Sequence, residues 1–384
     1  MGAQKMNYTI TTSPGLEEAT AEEIKKIIGV QPIVTPGGGI TVSCNLKQIT
    51  QVLCGSYLAS RVLQPLAEFH SWEKEVLYTE TKSIAWEKII EEGDTFVMDV
   101  HGRSDECDYS TAQGMLKIKD ALVDRIRDKR GNRPDVNKED PTHRIEVYFW
   151  KGKVQISIDI TGEPMHRRGY RVGVPGPAPL RESRAAALLM LAEIDSKIPQ
   201  HLYDPFCGTG TIAIEAAMIL RKIPPANLRY IPKKGFIPKF HETYLATLNE
   251  MRAAILPKCP TQIIASDADP EIIPRAKRFA AKARVEENII FEVLDYGDQV
   301  FNEGVLVSNP PYGERIQTHD QAKELLGDLG RKVKFDSAIE RMVLLVPAKL
   351  ETATGLKPEK KIKWKAGPLD ITAARYSLWR GEKA

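Results

Sequence analysis

"HLYDPFCGTGTIAIEAA", His201 to Ala217, decides the fold of the C-terminal half. A short apolar segment ends on an acid, Asp204. A Gly-x-Gly turn follows at Gly208 and Gly210, then a helix with small residues in its first turns. Small residues let an adenosine-sized ligand approach the backbone. The helix start offers unpaired N–H groups to an anionic group. Gly-x-Gly alone is weak evidence, and a plain strand-turn-helix is the alternative. The whole string after a strand is a much stronger signal.

Outward from this stretch, the pattern is strand-helix alternation. Strands are expected at "HLYDP", "QIIASD", "IIFEVLD", "GVLVSNP", "RMVLLVP", "KIKWKA" and "ITAARYSLW". Helices are expected at "TIAIEAAMILRK", "PEIIPRAKRFAAKAR" and "QAKELLGDLGRKVK". Short apolar strands separated by helices predict a parallel, doubly wound sheet. Only "GPLD" joins the last two strands, so these should pair antiparallel.

Three more groups fall at strand ends. Asp267 closes "IIASD", far beyond the roughly 20-residue spacing of a dinucleotide unit. A Lys/Pro-rich insertion, roughly 221–260, separates it from the glycines. The third glycine of a dinucleotide fingerprint is replaced by Ala213, so glycines alone do not exclude such a site. Asp267 is placed to hold ribose hydroxyls; its alternative is a helix cap, a role that suits Asp269 better. Asp295 can accept from an adenine amino group or hold an ordinary turn. "SNPPYGER" ends the fourth strand. Asn309 brings a side-chain carbonyl, Pro310 a rigid backbone carbonyl, and Tyr312 a flat face. Two acceptors and a stacking face suit a planar ligand with an exocyclic amino group. Bonds to both amino protons draw the nitrogen toward tetrahedral geometry and free its lone pair for attack. The alternative is a strand terminator with Asn as turn former. Glu314 and Arg315 have no assigned role.

The N-terminal half differs. Residues 8–55 read as strand, helix, strand, strand, helix, a small α+β module. In 60–161, "WEKEVLYTETKSI" and "AWEKII" are helical. "STAQGMLKIKDALVDRIRDKRG" is a helix capped by Ser110, ended by Gly131 and striped by Leu116, Ala121, Leu122 and Ile126. "HRIEVYFWKGKVQISIDITG" is a hairpin turning at Lys-Gly-Lys. "RVGVPGPAPL" reads as an interdomain linker.

The 384 residues suit two or three domains, and a net charge of +3 permits a nucleic-acid partner without demanding one. No secretory signal or membrane span is expected. The 5 cysteines are scattered and lack a CxxC, so neither disulfides nor a metal site is expected. A cytoplasmic setting follows.

"DPFCGTGTIAIEAA" and "NPPYGER" together resemble the class I S-adenosylmethionine-dependent RNA guanine-N2 methyltransferases that carry an N-terminal THUMP domain. "FHSWEKEVLY", "LKIKDALVDRIRDKRGNRPDV" and "ISIDITGEPMHRRGYR" resemble that family's N-terminal region, and "APLRESRAAALL" the helix leading into its catalytic domain. The resemblance covers nearly the whole chain. It implies an α/β fold: a Rossmann-like seven-stranded methyltransferase domain (181–384), preceded by a ferredoxin-like module (1–60), an α+β THUMP RNA-binding domain (61–168) and a linker (169–180). The fused second methyltransferase domain of some members is not expected. After Glu182 the family string usually has Thr or Leu, where this chain has "ESRAAA".

The implied cofactor is S-adenosyl-L-methionine, bound by Asp204, Phe206, Cys207, Gly208, Thr209, Gly210, Asp267, Ala268, Asp295, Tyr296 and Asn309. Within this set Asp204 serves the amino group, Asp267 the ribose and Asp295 the adenine. Asn309, Pro310, Pro311 and Tyr312 form the catalytic set. The implied partner is RNA, with 23S rRNA preferred and tRNA possible, and the implied reaction is methyl transfer to guanine N2. Adenine-N6 methylation and non-catalytic RNA binding are the competing readings. Candidate RNA contacts are Lys117, Arg133, Arg167, Arg168 and Arg171. Asp120, Asp124 and Asp128 interleave with the helix cations at ion-pair spacing, so that helix also reads as a solvated face. "HRRGYR" has no acids and reads as RNA-facing.

Overall fold

The computed structural model describes residues 5–35, 39–104, 106–171, 180–229, 237, 239–312, 319–335, 337–366 and 369–378. Most of the expected linker (172–179) lies outside them, as do Glu314 and Arg315.

The N-terminal half begins β1 (Met6–Thr12), α1 (Glu17–Ile28), β2 (Ile33–Thr35), β3 (Gly39–Cys44) and α2 (Leu46–Gly55), in the order the sequence predicts. A strand that the sequence reading lacks follows, β4 (Ala59–His70). Pro65 argues against a regular strand there. The chain accommodates it with a register shift between Pro65 and Ala67 against a neighbouring strand. Then come α3 (Lys74–Ser83), β5 (Thr95–Gly102), α4 (Thr111–Arg130), β6 (Asp135–Val136), β7 (His143–Trp150) and β8 (Lys153–Asp159). All eight strands form one sheet, ordered β2-β3-β1-β4-β8-β7-β5-β6. The expected division at residue 60 falls inside β4, and the sheet is continuous across it.

Two local expectations need correction. "AWEKII" makes only a 3-10 turn, Trp86–Lys88, with the Trp86 indole buried and donating to the Thr81 carbonyl at 2.9 Å. Leu116 is exposed; the buried stripe of α4 is Gly114, Ile118, Ala121, Leu122 and Ile126. Gly114 sits in that stripe because a Cβ there would come within 3.0 Å of the Phe149 and Tyr109 rings. The caps are as expected: Ser110 makes a capping box with Gln113, and Gly131 is left-handed.

The C-terminal half runs α5 (Glu182–Leu191), β9 (His201–Asp204), α6 (Thr211–Leu220), α7 (Phe240–Ala253), β10 (Gln262–Asp267), α8 (Ile273–Lys282), β11 (Ile289–Val293), β12 (Gly304–Ser308), α9 (His319–Phe335), β13 (Ile339–Pro347), β14 (Lys360–Ala366) and β15 (Leu369–Ser377). The seven-stranded sheet is ordered β11-β10-β9-β12-β13-β15-β14. Pairs up to β13 are parallel, and β15 runs antiparallel to both its neighbours. The central strands are apolar runs because helices cover both faces; β12 is buried throughout.

The insertion at 221–260 carries α7, which packs on α2 of the other half. Thr50 and Thr247 share a hydrogen bond of 2.9 Å, and Arg229 donates to the Leu53 carbonyl. Ala226, Ile237, Phe240, Tyr244 and Leu248 are buried in the N-terminal core. The insertion completes that core and joins the two halves.

Candidate active site

In the seven-stranded sheet, β9 is flanked by β10 on one side and β12 on the other. This is a topological switch point, and a crevice opens at the carboxyl ends of those strands. β9 ends on Asp204, and Gly208 and Gly210 then take positive φ values of 50° and 77°. Gly210 is the residue before α6, so the free N–H groups of that helix start beside the crevice.

Asp204 is buried at 1 % exposure. Its Oδ1 accepts from Ser308 Oγ at 2.5 Å, which ties the ends of β9 and β12 together. Its Oδ2 is buried with no hydrogen-bond partner among the described residues. Burial raises its pKa to about 7, and the nearby charge of Asp267 adds to the rise. Asp267 accepts from the Gly208 N–H at 2.9 Å and the Asp269 N–H at 3.1 Å, bracing the glycine turn from the next strand. Asp269 separately accepts from the Glu271 N–H ahead of α8. Asp295 is exposed and accepts from the Gly297 N–H. The rings of Phe206 and Tyr296 lie 5.1 Å apart, 40° from parallel.

These groups surround a cavity of about 490 Å³. Of the expected cofactor residues, Asp204, Phe206, Cys207, Gly208, Thr209, Asp267, Ala268, Asp295, Tyr296 and Asn309 line it; Gly210 does not. Of the expected catalytic residues, Asn309 and Pro311 line it, while Pro310 is buried and Tyr312 packs against the core beside it. The Asn309 Oδ1 is a second buried acceptor without a partner among the described residues. Leu180 and Leu325 also line the cavity. Sequence reasoning missed Leu325, one of several apolar residues on α9, and the role of Ser308 as hydrogen-bond donor to Asp204. Burial pushes the Cys207 thiol well up, which keeps it a neutral wall.

The cavity has a size ordinary for a cofactor site. Its two unpaired acceptors call for ligand donors, an ammonium and an amino group among them. S-adenosyl-L-methionine carries the ammonium, and a planar base carries the amino group that Asn309 can accept from. Among the described residues no group of three His, Cys, Asp or Glu side chains could hold a metal ion.

The candidate RNA contacts separate. Arg133 and Arg167 are exposed, Arg167 pairing with Glu163 at 3.1 Å. Lys117 pairs with Glu75. Arg168 cannot be an RNA contact: it is fully buried and bonded to Glu215 at 3.1 Å and to the carbonyls of Met165 and Tyr57. Arg171 is also turned inward, to Glu182 at 3.1 Å and to Thr211 at the start of α6. Their acidic partners lie 47 and 11 residues further along the chain, so they were hidden until the chain folded.

Comparison with known proteins gives matches along the chain. A family model described as RMKL-like, methyltransferase domain, matches residues 168–375. The THUMP domain model matches 73–159, and the RlmL ferredoxin-like domain model matches 7–63. The ribosomal RNA large subunit methyltransferase K/L of Psychromonas ingrahamii is 32% identical over 382 residues, covering 97% of this chain and 50% of that protein. The chain spans about half the length of the curated relatives it matches. A crystal structure from Listeria monocytogenes, described as a predicted N6-adenine-specific DNA methylase, is 27% identical with a TM-score of 0.84, covering 97% of this chain and 96% of that one. A possible methylase from Clostridium difficile 630 is 28% identical with a TM-score of 0.85, covering 99% and 100%.

Proposed function

The chain belongs to the RMKL-like methyltransferase domain family, and on that premise we propose that it transfers a methyl group from S-adenosyl-L-methionine to the N2 amino group of a guanine in 23S rRNA. The observation that carries this reading is the pair of unpaired buried acceptors, Asp204 Oδ2 and Asn309 Oδ1, lining one cavity at the switch point. The name of the Psychromonas relative supports ribosomal RNA as the substrate.

Bound S-adenosyl-L-methionine supplies an electrophilic methyl group on a sulfonium centre. Asp204 would hold its ammonium, Asp267 its ribose hydroxyls and Asp295 its adenine amino group. The target guanine has to leave its stack, and Tyr312 gives it a new one. Asn309 and the Pro310 carbonyl accept hydrogen bonds from the two N2 protons, so the nitrogen lone pair turns out of the ring conjugation toward the methyl group. Because the amine attacks while it still carries both protons, no strong base is required at Asn309, and the cationic methylated nitrogen loses one proton to solvent afterwards. The rest of the rate gain is positioning, which the rigid Pro310–Pro311 pair provides. The N-terminal modules bind the RNA, with Arg133 and Arg167 as phosphate contacts. A cytoplasmic location fits this substrate, and among the described residues no helix is long and apolar enough to cross a membrane.

Calorimetry with S-adenosyl-L-methionine tests the cofactor; no binding would sink the enzyme reading. Mass-spectrometric mapping of rRNA and tRNA nucleosides from a deletion strain tests the substrate. Loss of one N2-methylguanosine from 23S rRNA is expected, and a loss confined to tRNA would move the assignment there.

A further inference from the structure

The cavity has two ends. Asp295 follows β11, at one edge of the sheet, while Asp204 closes β9 and Asn309 follows β12, nearer its middle. A ligand with its adenine at Asp295 and its ammonium at Asp204 therefore lays its amino-acid tail toward β12. Leu180 walls that end. It lies two residues ahead of α5, which packs on β13, beyond β12. Thr211, the first residue of the helix that follows Asp204, is buried and lines the cavity too.

One side chain joins these two walls from behind. Arg171 is not among the residues that line the cavity. One of its terminal nitrogens donates to the Leu180 carbonyl at 3.1 Å and to a Glu182 carboxylate oxygen at 3.1 Å. The other donates to Thr211 Oγ1. Glu182 is itself buried, in the first turn of α5. The base of the arginine is anchored as well, because the neighbouring Tyr170 is buried and donates to Glu215 of α6 at 3.2 Å. The guanidinium carbon lies 6.0 Å from the centroid of the Phe279 ring on α8.

A single planar fork thus spans the segment ahead of α5 and the start of α6. The fork is rigid, so its three acceptors are fixed relative to one another. The Glu182 carboxylate makes one of the bonds charge-assisted. A change at Arg171 frees Leu180 and Thr211 to move apart, although neither is altered itself.

We propose that Arg171 is a positioning residue that sets the width of the cavity at its amino-acid end, by holding Leu180 of one wall against Thr211 of the other. It acts through these two residues without touching the ligand, and it rests on the reading above that S-adenosyl-L-methionine occupies this cavity.

The test compares two ligands on the full chain by calorimetry. S-adenosyl-L-homocysteine carries the amino-acid tail. 5′-Methylthioadenosine keeps the adenosine and the sulfur but lacks the tail. The wild type should prefer the first by about 10-fold or more, the span of a charge-assisted hydrogen bond at Asp204. Arg171→Met removes all three bonds. Arg171→Lys keeps a cation for Glu182, but a single ammonium does not span the three acceptors as the fork does. Both variants should bind S-adenosyl-L-homocysteine about 10-fold more weakly, with 5′-methylthioadenosine within about two-fold of the wild type. The preference for the tail then shrinks by the same factor. A merely structural role would weaken both ligands together and leave the preference intact. Arg171→Met also strands the buried Glu182; where it fails to fold, Arg171→Lys decides. An undiminished preference in Arg171→Lys overturns the proposal. A wild type that binds neither ligand, or binds both equally, overturns the parent reading and the proposal with it.

Discussion

Asp204 is a carboxylate held against its charge. Burial is the main cause of its pKa near 7; Asp267 adds repulsion, and the Ser308 hydroxyl and Phe206 N–H offset this only in part. An ammonium arriving at the unpaired oxygen favours the ionised form. Affinity for S-adenosyl-L-methionine should therefore rise as pH goes from about 5.5 to about 7.5, with proton release on binding. Asp204→Asn should flatten that rise and weaken binding roughly 10- to 100-fold, the range of a charge-assisted hydrogen bond; calorimetry across this pH range reads both. The same group acts on the stability of the free protein. Its folded pKa lies above the unfolded value of about 3.9. Its contribution is complete below that value and is lost as pH climbs through about 7. The thermal midpoint of Asp204→Asn should thus gain on that of the wild type between about pH 5 and pH 8. Asn309 separates binding from chemistry in the opposite way. Asn309→Ala should leave cofactor affinity within a few-fold and cut the methylation rate by about two decades. An unchanged rate would remove Asn309 from the reaction.

At the scale of elements, α6 is fixed from behind as well as from the glycine turn. Glu215, fully buried on α6, accepts from Arg168 at 3.1 Å and from the Tyr170 hydroxyl at 3.2 Å. Arg168 also donates to the Tyr57 carbonyl at 2.6 Å, in the segment between α2 and β4. That segment is held in turn by Glu23 of α1, which accepts from Ser56 Oγ and the Tyr57 and Leu58 N–H groups. Arg168→Met leaves Glu215 buried without its cation, and should cost about 3–5 kcal/mol in urea unfolding. Arg168→Met with Glu215→Leu should recover much of that loss, because no lone charge is left behind. An additive double variant would show that the two side chains are not coupled. How legible each element was follows from how local its determinants are. The caps of α4 lie within three residues of its start and at its end, so Ser110 and Gly131 could be read directly. The acids Asp204, Asp267 and Asp295 could be found because each closes an apolar run. The partner of Arg168 lies 47 residues away, and "HRRGYR" therefore read as an open basic surface. β4 stayed hidden because Pro65 breaks its pattern, and only pairing with β1 and β8 identifies it as a strand.

At the scale of the whole molecule, the N-terminal module does not own all of its core. Five buried side chains of that core, Ala226, Ile237, Phe240, Tyr244 and Leu248, belong to the insertion between β9 and β10. The traffic runs the other way too: Leu16, Tyr57 and Leu58 are buried in the core of the C-terminal half. Nothing in the composition of 221–260 marks α7 as an interdomain element, since its apolar residues would suit an ordinary surface helix equally well. The energetic consequence is that neither half can unfold without exposing apolar surface of the other. Two domains joined only by a linker would melt in two steps. Here one calorimetric transition is expected, carrying the full unfolding enthalpy. Leu248→Ala makes a cavity in the shared core and should cost about 2–5 kcal/mol. It should lower the midpoint of that single transition while keeping it single, although Leu248 lies in the chain of one half and the core of the other. If the melt splits and only the later step is unaffected, the halves are independent and the insertion only touches the surface it rests on. A joint shift would mean that the N-terminal sheet and the crevice at Asp204 are held in one fixed relation, as the proposed positioning of a flipped base at Asn309 requires.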